Sequence, residues 1–201
     1  MKRFRRIEAA VRAAGYDEII DWSETISPPI DAEALARTAI FVICSSGMAN
    51  AAALSIFDKC MAAFAEGRLA GEVFRHPGKA VAIDTIWENR DELFIDFLEA
   101  EDKLAFCVDL PFVGEITKYH LAKNLGADVA KPDVHLLRLA ERDKVTPQQL
   151  CDRLARQTGY RAATIDTILW RACADGMLSS RVYADEGWVA AWCVRGAATR
   201  C

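Results

Sequence analysis

The sequence predicts an all-α fold, and three observations support that prediction. Apolar residues recur at helical spacing along most of the 201 residues. Glycine, proline and capping residues punctuate these stretches where helices begin or end. Strand signals are confined to residues 181–194, which we interpret either as one or two short strands or as a loop packed by Trp188 and Trp192. We therefore expect short helices joined by tight turns, without a central sheet.

Caps and breaks delimit the predicted helices in the first half of the chain. Apolar residues on one face predict a helix over 2–14, and the two prolines within 27–29 end that region. Asp31 is a good N-cap for a helix to Val42. Further helices are expected over residues 49–66, 79–89, 91–100 and 102–108.

The second half is punctuated in the same way. A tight turn at 110–114 starts a helix that ends before Gly126. Thr146, followed by a proline, caps a helix that ends at Gly159. Two more helices are expected over 132–142 and 161–174.

The composition fits a globular protein of one domain, or of two small helical lobes that share a core. Hydrophobic residues make up 52% of the chain and charged residues 27%, which excludes a disordered or fibrous class. The formal net charge of −4 argues against a protein that coats nucleic acid through overall positive charge. Basic residues are more frequent after residue 138, although a solvated helix face explains them at least as well.

The seven cysteines indicate reduced, mostly buried thiols. Their number is odd and no pair has C-x-x-C spacing, so we expect no disulfide framework, no zinc site and no iron–sulfur cluster. No apolar run reaches the length of a signal peptide or a membrane span. We therefore expect a soluble, cytoplasmic protein that does not contact a membrane.

Residues 103–125 predict a hairpin of two helices whose turn suits a phosphate. The Leu-Pro-x-x-Gly turn leaves several backbone N–H groups unpaired at the start of the second helix. These amides, together with the helix dipole, fit one phosphate oxygen and need no lysine. Gly114 lets a bound backbone approach closely. An ordinary junction between two helices explains the same spacing about equally well.

Asp133 stands near the start of a later helix, where aspartate is common because it accepts hydrogen bonds from free amides. The position of Asp133 in the sequence after the turn, and the number of residues between them, carry more information than either feature alone. The chain reads Leu-Pro-Phe-Val-Gly-Glu-Ile-Thr at 110–117 and Pro-Asp-Val-His-Leu-Leu-Arg at 132–138. This stretch resembles the helix-hairpin-helix–Gly/Pro–Asp superfamily of base-excision DNA glycosylases, which includes endonuclease III. Its members carry a hairpin close to L-P-G-V-G-x-K-T-A and, further along, a segment close to V-D-T-H-V-x-R.

The resemblance implies a fold, a reaction and a catalytic residue. The implied fold is a single domain over 1–201 with two helical lobes. One is a central lobe over about 31–140, and the N-terminal helix with 141–201 forms the other. The implied reaction hydrolyses the bond between a flipped, damaged base and its sugar in double-stranded DNA. Asp133 matches the catalytic aspartate, which activates water or stabilises the cationic sugar.

The same resemblance assigns phosphate binding to the hairpin, namely to Phe112, Val113, Gly114, Ile116 and Thr117. Ile116 stands where members that also cleave the strand carry a nucleophilic lysine, so a monofunctional glycosylase is implied. Phe112 stands where the family often has glycine, and a side chain there crowds the phosphate or packs on the sugar. The only ligand left as a candidate is a monovalent cation at the hairpin, and no cofactor is required.

The nearby lysines and two further residues that match the family pattern give weaker indications of function. Lys118 lies about 200° around the helix from Ile116 and is a poor substitute nucleophile. Lys123 and Lys131 stay open as alternatives. His135 and Arg138 match family positions that look structural.

Ser46, Met48 and Pro77 are candidate inserting residues. Family members flip the target nucleotide and plug the gap it leaves, and residues 42–48 and 76–77 lie where the family has such plugs. Ordinary turns explain each segment more simply. Four aromatic residues are candidates for the base pocket by residue type alone: Trp22, Phe41, Trp87 and Trp170.

The leading hypothesis is a monofunctional DNA N-glycosylase, a monomer of the nucleoid that acts on duplexes containing a damaged base. A non-catalytic helix-hairpin-helix DNA-binding protein is an alternative, favoured by the negative net charge and by Phe112. A bifunctional glycosylase/lyase with a displaced lysine is another. The last is an unrelated all-α protein that matches the motifs by chance.

Overall fold

A computed structural model describes residues 1–192, and this part of the chain is helical without a strand. The helices are α1 (Lys2–Ala13), α2 (Asp17–Thr25), α3 (Ala32–Ser45), α4 (Asn50–Ala65), α5 (Pro77–Glu88), α6 (Arg90–Glu99), α7 (Lys103–Asp109), α8 (Thr117–Asn124), α9 (Val134–Glu141), α10 (Pro147–Thr158), α11 (Ala162–Ala174), α12 (Ser180–Glu186) and α13 (Trp188–Ala191). The predicted all-α class is confirmed for the described residues. None of these helices has the length and apolar composition needed to cross a bilayer.

The chain divides into two compact units. Among the described residues, the first unit comprises Met1–Ile26 and 128–192, and the second comprises Ser27–Ala127. This division differs from the expected lobes near residue 140. The reason is that α9 packs against α10, α11 and α12 and therefore belongs with the N-terminal helices.

Helix α11 is the centre of the first unit. It packs against α1, α2, α9 and α10. Ile165 and Ile168 are fully buried, and polar Thr164 and Asp166 on the same helix are buried as well. A helix that is buried around most of its circumference forms the core of a bundle rather than its surface.

Helix α3 has the same role in the second unit, where it packs against α4, α5, α6 and α8. The predicted cap is present, because Asp31 accepts a hydrogen bond of 2.7 Å from the amide of Ala34. Gly126 closes α8 with φ of +91°, and a Cβ atom there would lie 2.7 Å from the backbone nitrogen of Pro28. Only glycine fits this position, which joins the two ends of the second unit.

Two parts of the fold differ from the sequence prediction. Helix α2 was not expected. Residues 180–186 and 188–191 form α12 and α13 rather than strands or a loop, so that interpretation was wrong. Residues 193 and 194 lie outside the described range. Ser179 caps α12 through the amide of Val182, and Trp188 stacks on Trp192 one helical turn further on.

Candidate functional site

The segment predicted to form the hairpin lies in the second unit, where α7 packs against α8 across the turn at 110–114. Leu110 and Val113 anchor the turn, since both are buried and the amide of Val113 donates to the carbonyl of Leu110 at 3.1 Å. Ile116 is 48% exposed at the start of α8. The turn therefore has an apolar inner side and an open outer side.

The backbone N–H groups at the start of α8 are available for a ligand. Within residues 1–192, no hydrogen bond is found from the amides of Gly114, Glu115, Ile116 and Thr117, and no side chain caps the helix. The amide of Lys118 is the first that is satisfied, by the carbonyl of Gly114. A Cβ atom at Gly114 would meet nothing within 4 Å, so this glycine leaves open space on the outer side. Four consecutive donors at a positive helix end suit an anion.

Phe112 occupies a backbone conformation that glycine adopts more readily than other residues. Its φ is +66°, a region that L-residues with a Cβ atom rarely adopt. The ring packs over Gly78, where an added Cβ atom would lie 3.3 Å away, and its centroid is 5.6 Å from that of His76. With 44% of the residue exposed, the ring covers the start of α5 and remains partly open to a ligand.

Lys79 connects the hairpin with one of the predicted inserting segments. Its ammonium donates to the carbonyl of Ser46 at 2.6 Å and to that of Cys44 at 3.4 Å, at the end of α3. The same ammonium lies 5.8 Å from the centroid of the Phe112 ring. Lys79 is only 4% exposed, and burial lowers its pKa. A positive charge at a helix C-terminus is stabilised by the carbonyls it bonds.

The candidate inserting residues are thus placed as follows. Ser46 is half-buried and joined to Lys79, and Met48 follows it with its amide bonded to the carbonyl of Ser45. Pro77 is exposed as the first residue of α5, which His76 caps by accepting from the amide of Lys79. Lys79 therefore links the segment of Ser46 with the start of α5 and with Phe112. Sequence reasoning missed Lys79 because no local pattern marks the partner of a lysine.

Asp133 lies in the first unit as the N-cap of α9. Its Oδ1 atom accepts hydrogen bonds from the amides of His135 at 2.9 Å and Leu136 at 3.0 Å. No donor to Oδ2 is found among the described residues, and the side chain is half-buried. One carboxylate oxygen therefore holds the helix, and the other is uncommitted. The capping role of Asp133 involves Oδ1, whereas the predicted catalytic role would involve Oδ2.

Polar contacts fix the segment that leads to Asp133. The amide of Ala130 donates to the side chain of Gln148 at 2.7 Å, and that of Lys131 donates to Asp166 at 3.1 Å. Asp166 is 1% exposed. Because the carboxylate of Asp166 is buried, its charge-assisted hydrogen bond holds the backbone more firmly than an exposed one does. Sequence reasoning gave Gln148 and Asp166 no role, because both act across helices far apart in the chain.

His135 and Cys173 complete the surroundings of Asp133. The Nδ1 atom of His135 lies 2.9 Å from the hydroxyl of Ser180, and this contact ties α9 to α12. Burial, and to a lesser degree the negative charge of Asp133, raise the pKa of the Cys173 thiol to about 12. Cys173 is therefore a neutral thiol near the carboxylate at physiological pH.

The remaining predicted residues have ordinary neighbours. The Lys118 ammonium bonds Glu115 at 2.6 Å, which raises the pKa of the lysine and keeps it protonated. The four aromatic candidates for the base pocket have separate surroundings. Trp87 stacks on Phe64 with ring centroids 4.7 Å apart, and Phe41 contacts Phe57 edge-on. Trp170 lies against the guanidinium of Arg171, and Trp22 is 49% exposed.

The five cysteines within the described range are buried, as expected. Cys193 and Cys201 lie outside that range. No group of three or more His, Cys, Asp or Glu residues suited to a metal ion is found in residues 1–192. Comparisons of the chain with protein-family models, with curated proteins and with solved structures find no match.

Proposed function

We propose that this protein is a monofunctional DNA N-glycosylase that releases a damaged base from double-stranded DNA. The observation that carries the proposal is the run of unpaired amides from Gly114 to Thr117, at the start of α8 in a Leu-Pro-x-x-Gly hairpin. The carboxylate of Asp133 follows in the order and at the separation that the resemblance to DNA glycosylases requires.

In this proposal, the hairpin binds one phosphate of the DNA backbone. Amides bind a phosphate without adding positive charge, which is compatible with a chain of net charge −4. Phe112 packs on the sugar next to that phosphate with the exposed part of its ring. Ser46, Met48 or Pro77 fills the space that the flipped nucleotide leaves.

Asp133 carries the chemistry. Oδ1 accepts hydrogen bonds from two amides. In this proposal, Oδ2 accepts a proton from water or faces the sugar as positive charge develops. Water attacks the anomeric carbon, the bond from that carbon to the base breaks, and the base leaves with the bonding electrons. The proton from water passes to the carboxylate and then to solvent.

The proposal excludes strand cleavage by a hairpin lysine. Ile116 has no nucleophile, and Lys118 is held as an ammonium by Glu115. The product is an abasic site in an intact strand. A monomer located in the nucleoid, and a monovalent cation at the hairpin, belong to the same proposal.

A panel of duplexes, each with one alkylated, oxidised or deaminated base, tests the proposal. Each reaction is divided and analysed with and without hot alkali. We expect one class of lesion to give strand breaks only after alkali, because the enzyme leaves an abasic site. If no lesion in the panel lost its base at enzyme concentrations in excess of DNA, the glycosylase proposal would be wrong.

The second candidate is a non-catalytic helix-hairpin-helix protein, favoured by the Phe112 ring that stands where a phosphate-binding hairpin has glycine. It predicts salt-sensitive binding to duplex DNA without base release. The third candidate is a bifunctional glycosylase/lyase with a displaced lysine. Borohydride trapping distinguishes it, since only such a lyase forms a covalent adduct with DNA.

A further inference from the structure

A groove between α6 and α7 in the second unit shares Leu110 with the hairpin turn but contains none of the residues proposed to bind DNA. Its volume is about 520 Å³, within the range of about 300–1,000 Å³ that ligand sites occupy. The floor is apolar and contains Leu93, Phe106 and Leu110. The rim carries the carboxylates of Asp96, Glu101 and Asp109, together with Asp102, which caps α7. We refer to it as the α6–α7 groove.

The rim carboxylates are not neutralised by the chain. Asp96, Glu101 and Asp109 are exposed, and no ion pair of theirs is found in residues 1–192. The ammonium of Lys103 is occupied by the carbonyls of Phe97 and Ala100 at the end of α6. The whole second unit has fifteen Asp and Glu against nine Lys and Arg. The groove therefore lies in a region of negative potential.

The apolar floor and the acidic rim together define what kind of ligand fits the groove. Phe106 and Leu110 are 9% and 5% exposed, and Phe106 is held edge-on by Phe97. An apolar floor below an acidic rim matches a side chain with a long aliphatic stem and a cationic head. Lysine and arginine have this form, and the arginine fork bonds a carboxylate through two parallel hydrogen bonds.

We propose that the α6–α7 groove docks an Arg/Lys-rich segment of a partner protein. The stems of its basic residues pack on Phe106 and Leu93, and their heads pair with the rim carboxylates. Charge complementarity selects this occupant, because a nucleic acid or an acidic peptide is repelled by the same rim. The inference is independent of the glycosylase proposal and stands or fails without it.

Fluorescence anisotropy with the full chain tests the inference. The probe is a fluorescein-labelled peptide of three Leu-Arg-Arg-Leu repeats, and a second probe has glutamate in place of arginine. We expect the basic probe to bind and the acidic probe not to bind. Binding of the basic probe should weaken at least about tenfold between roughly 50 and 300 mM NaCl, because exposed charges are screened.

Two variants separate the groove from overall charge. The triple variant Asp96→Asn/Glu101→Gln/Asp109→Asn should weaken binding at least about tenfold. A control, Glu33→Gln/Asp58→Asn/Glu66→Gln, removes the same number of charges elsewhere in the second unit and should change it less than about twofold. Equal effects of the two variants, or no binding of the basic probe, would overturn the inference.

Ala105→Trp fills the groove from α7 without changing its charge, since Ala105 is exposed and lines it. This variant should also weaken binding at least about tenfold, with Ala52→Trp on the exposed face of α4 as its control. Sedimentation of the chain alone tests whether a second copy of the chain occupies the groove instead. A dimer that Ala105→Trp dissociates would show that a second copy fills the groove, and it would refute the proposed docking of a basic partner segment.

Discussion

Substitution of Phe112 by glycine and by alanine tests the backbone of the hairpin turn. Phe112 has φ of +66°, which costs a residue with a Cβ atom about 1–2 kcal/mol relative to glycine. The ring is 44% exposed, so removing it forfeits about half of a full burial, or about 1 kcal/mol. Glycine relieves the strain and loses the packing, whereas alanine loses the packing and keeps the strain.

The two substitutions should therefore differ in a direction opposite to the usual one. Alanine normally stabilises exposed positions by about 0.5–1 kcal/mol relative to glycine, because it restricts the unfolded chain. At position 112 we expect Phe112→Gly to be close to neutral and Phe112→Ala to cost about 1 kcal/mol. Urea unfolding followed by circular dichroism measures both free energies. If alanine were as stable as glycine or more so, the positive φ would be wrong.

Three further predictions concern stability. Gly126→Ala should cost about 2–4 kcal/mol, because its Cβ atom would strike Pro28 and φ is positive; unfolding close to wild type would contradict the close approach. Tyr160→Phe removes a 2.6 Å hydrogen bond to Glu8 and should cost about 1–2 kcal/mol at pH 7. Burial alone would raise the pKa of Glu8, but hydrogen bonds from Tyr160 and Arg5 lower it overall. The wild-type advantage should therefore shrink as the pH falls below 4.5, and an advantage independent of pH would count against that bond. Asp133→Ala should cost about 1 kcal/mol through the lost cap, and thermal melting that shows no loss would remove the capping role.

Local patterns were sufficient for most helices. Asp31 caps α3, and Thr146 caps α10 through the amide of Gln149, both at the predicted positions. Caps can be read from sequence because donor and acceptor lie within three residues of each other. The turn between α7 and α8 is predicted for the same reason, since its Leu-Pro-x-x-Gly pattern is contiguous.

Helix α2 and the helices of 180–191 escaped prediction for a physical reason. In α2 only Ile20 and Ser23 are buried, too few positions for a periodic signal. Trp188 and Trp192 were assigned to strands or a loop, although their spacing also fits one helical turn. Short helices of this kind owe their stability to packing rather than to propensity.

The contacts that arrange the candidate site could not be predicted from sequence. Lys79 bonds a carbonyl 33 residues away, and Asp166 bonds an amide 35 residues away. Neither partner has a sequence signature, because a backbone carbonyl or amide is present at every position. Sequence identified the candidate residues Asp133 and Gly114, whereas the three-dimensional packing identified what holds them.

The central claim is that the free oxygen of Asp133 performs the chemistry, and one comparison tests it most directly. Asp133→Asn keeps a helix cap, because asparagine caps as well as aspartate. Asp31→Asn makes the same change at a second N-cap and serves as the matched control.

Single-turnover base release is measured for the wild type and both variants on the lesion that the wild type processes best. The catalytic role predicts that Asp133→Asn slows release at least about 100-fold while its melting temperature and DNA affinity stay close to the wild type. It also predicts that Asp31→Asn retains the wild-type rate. Unchanged release by Asp133→Asn would contradict the account.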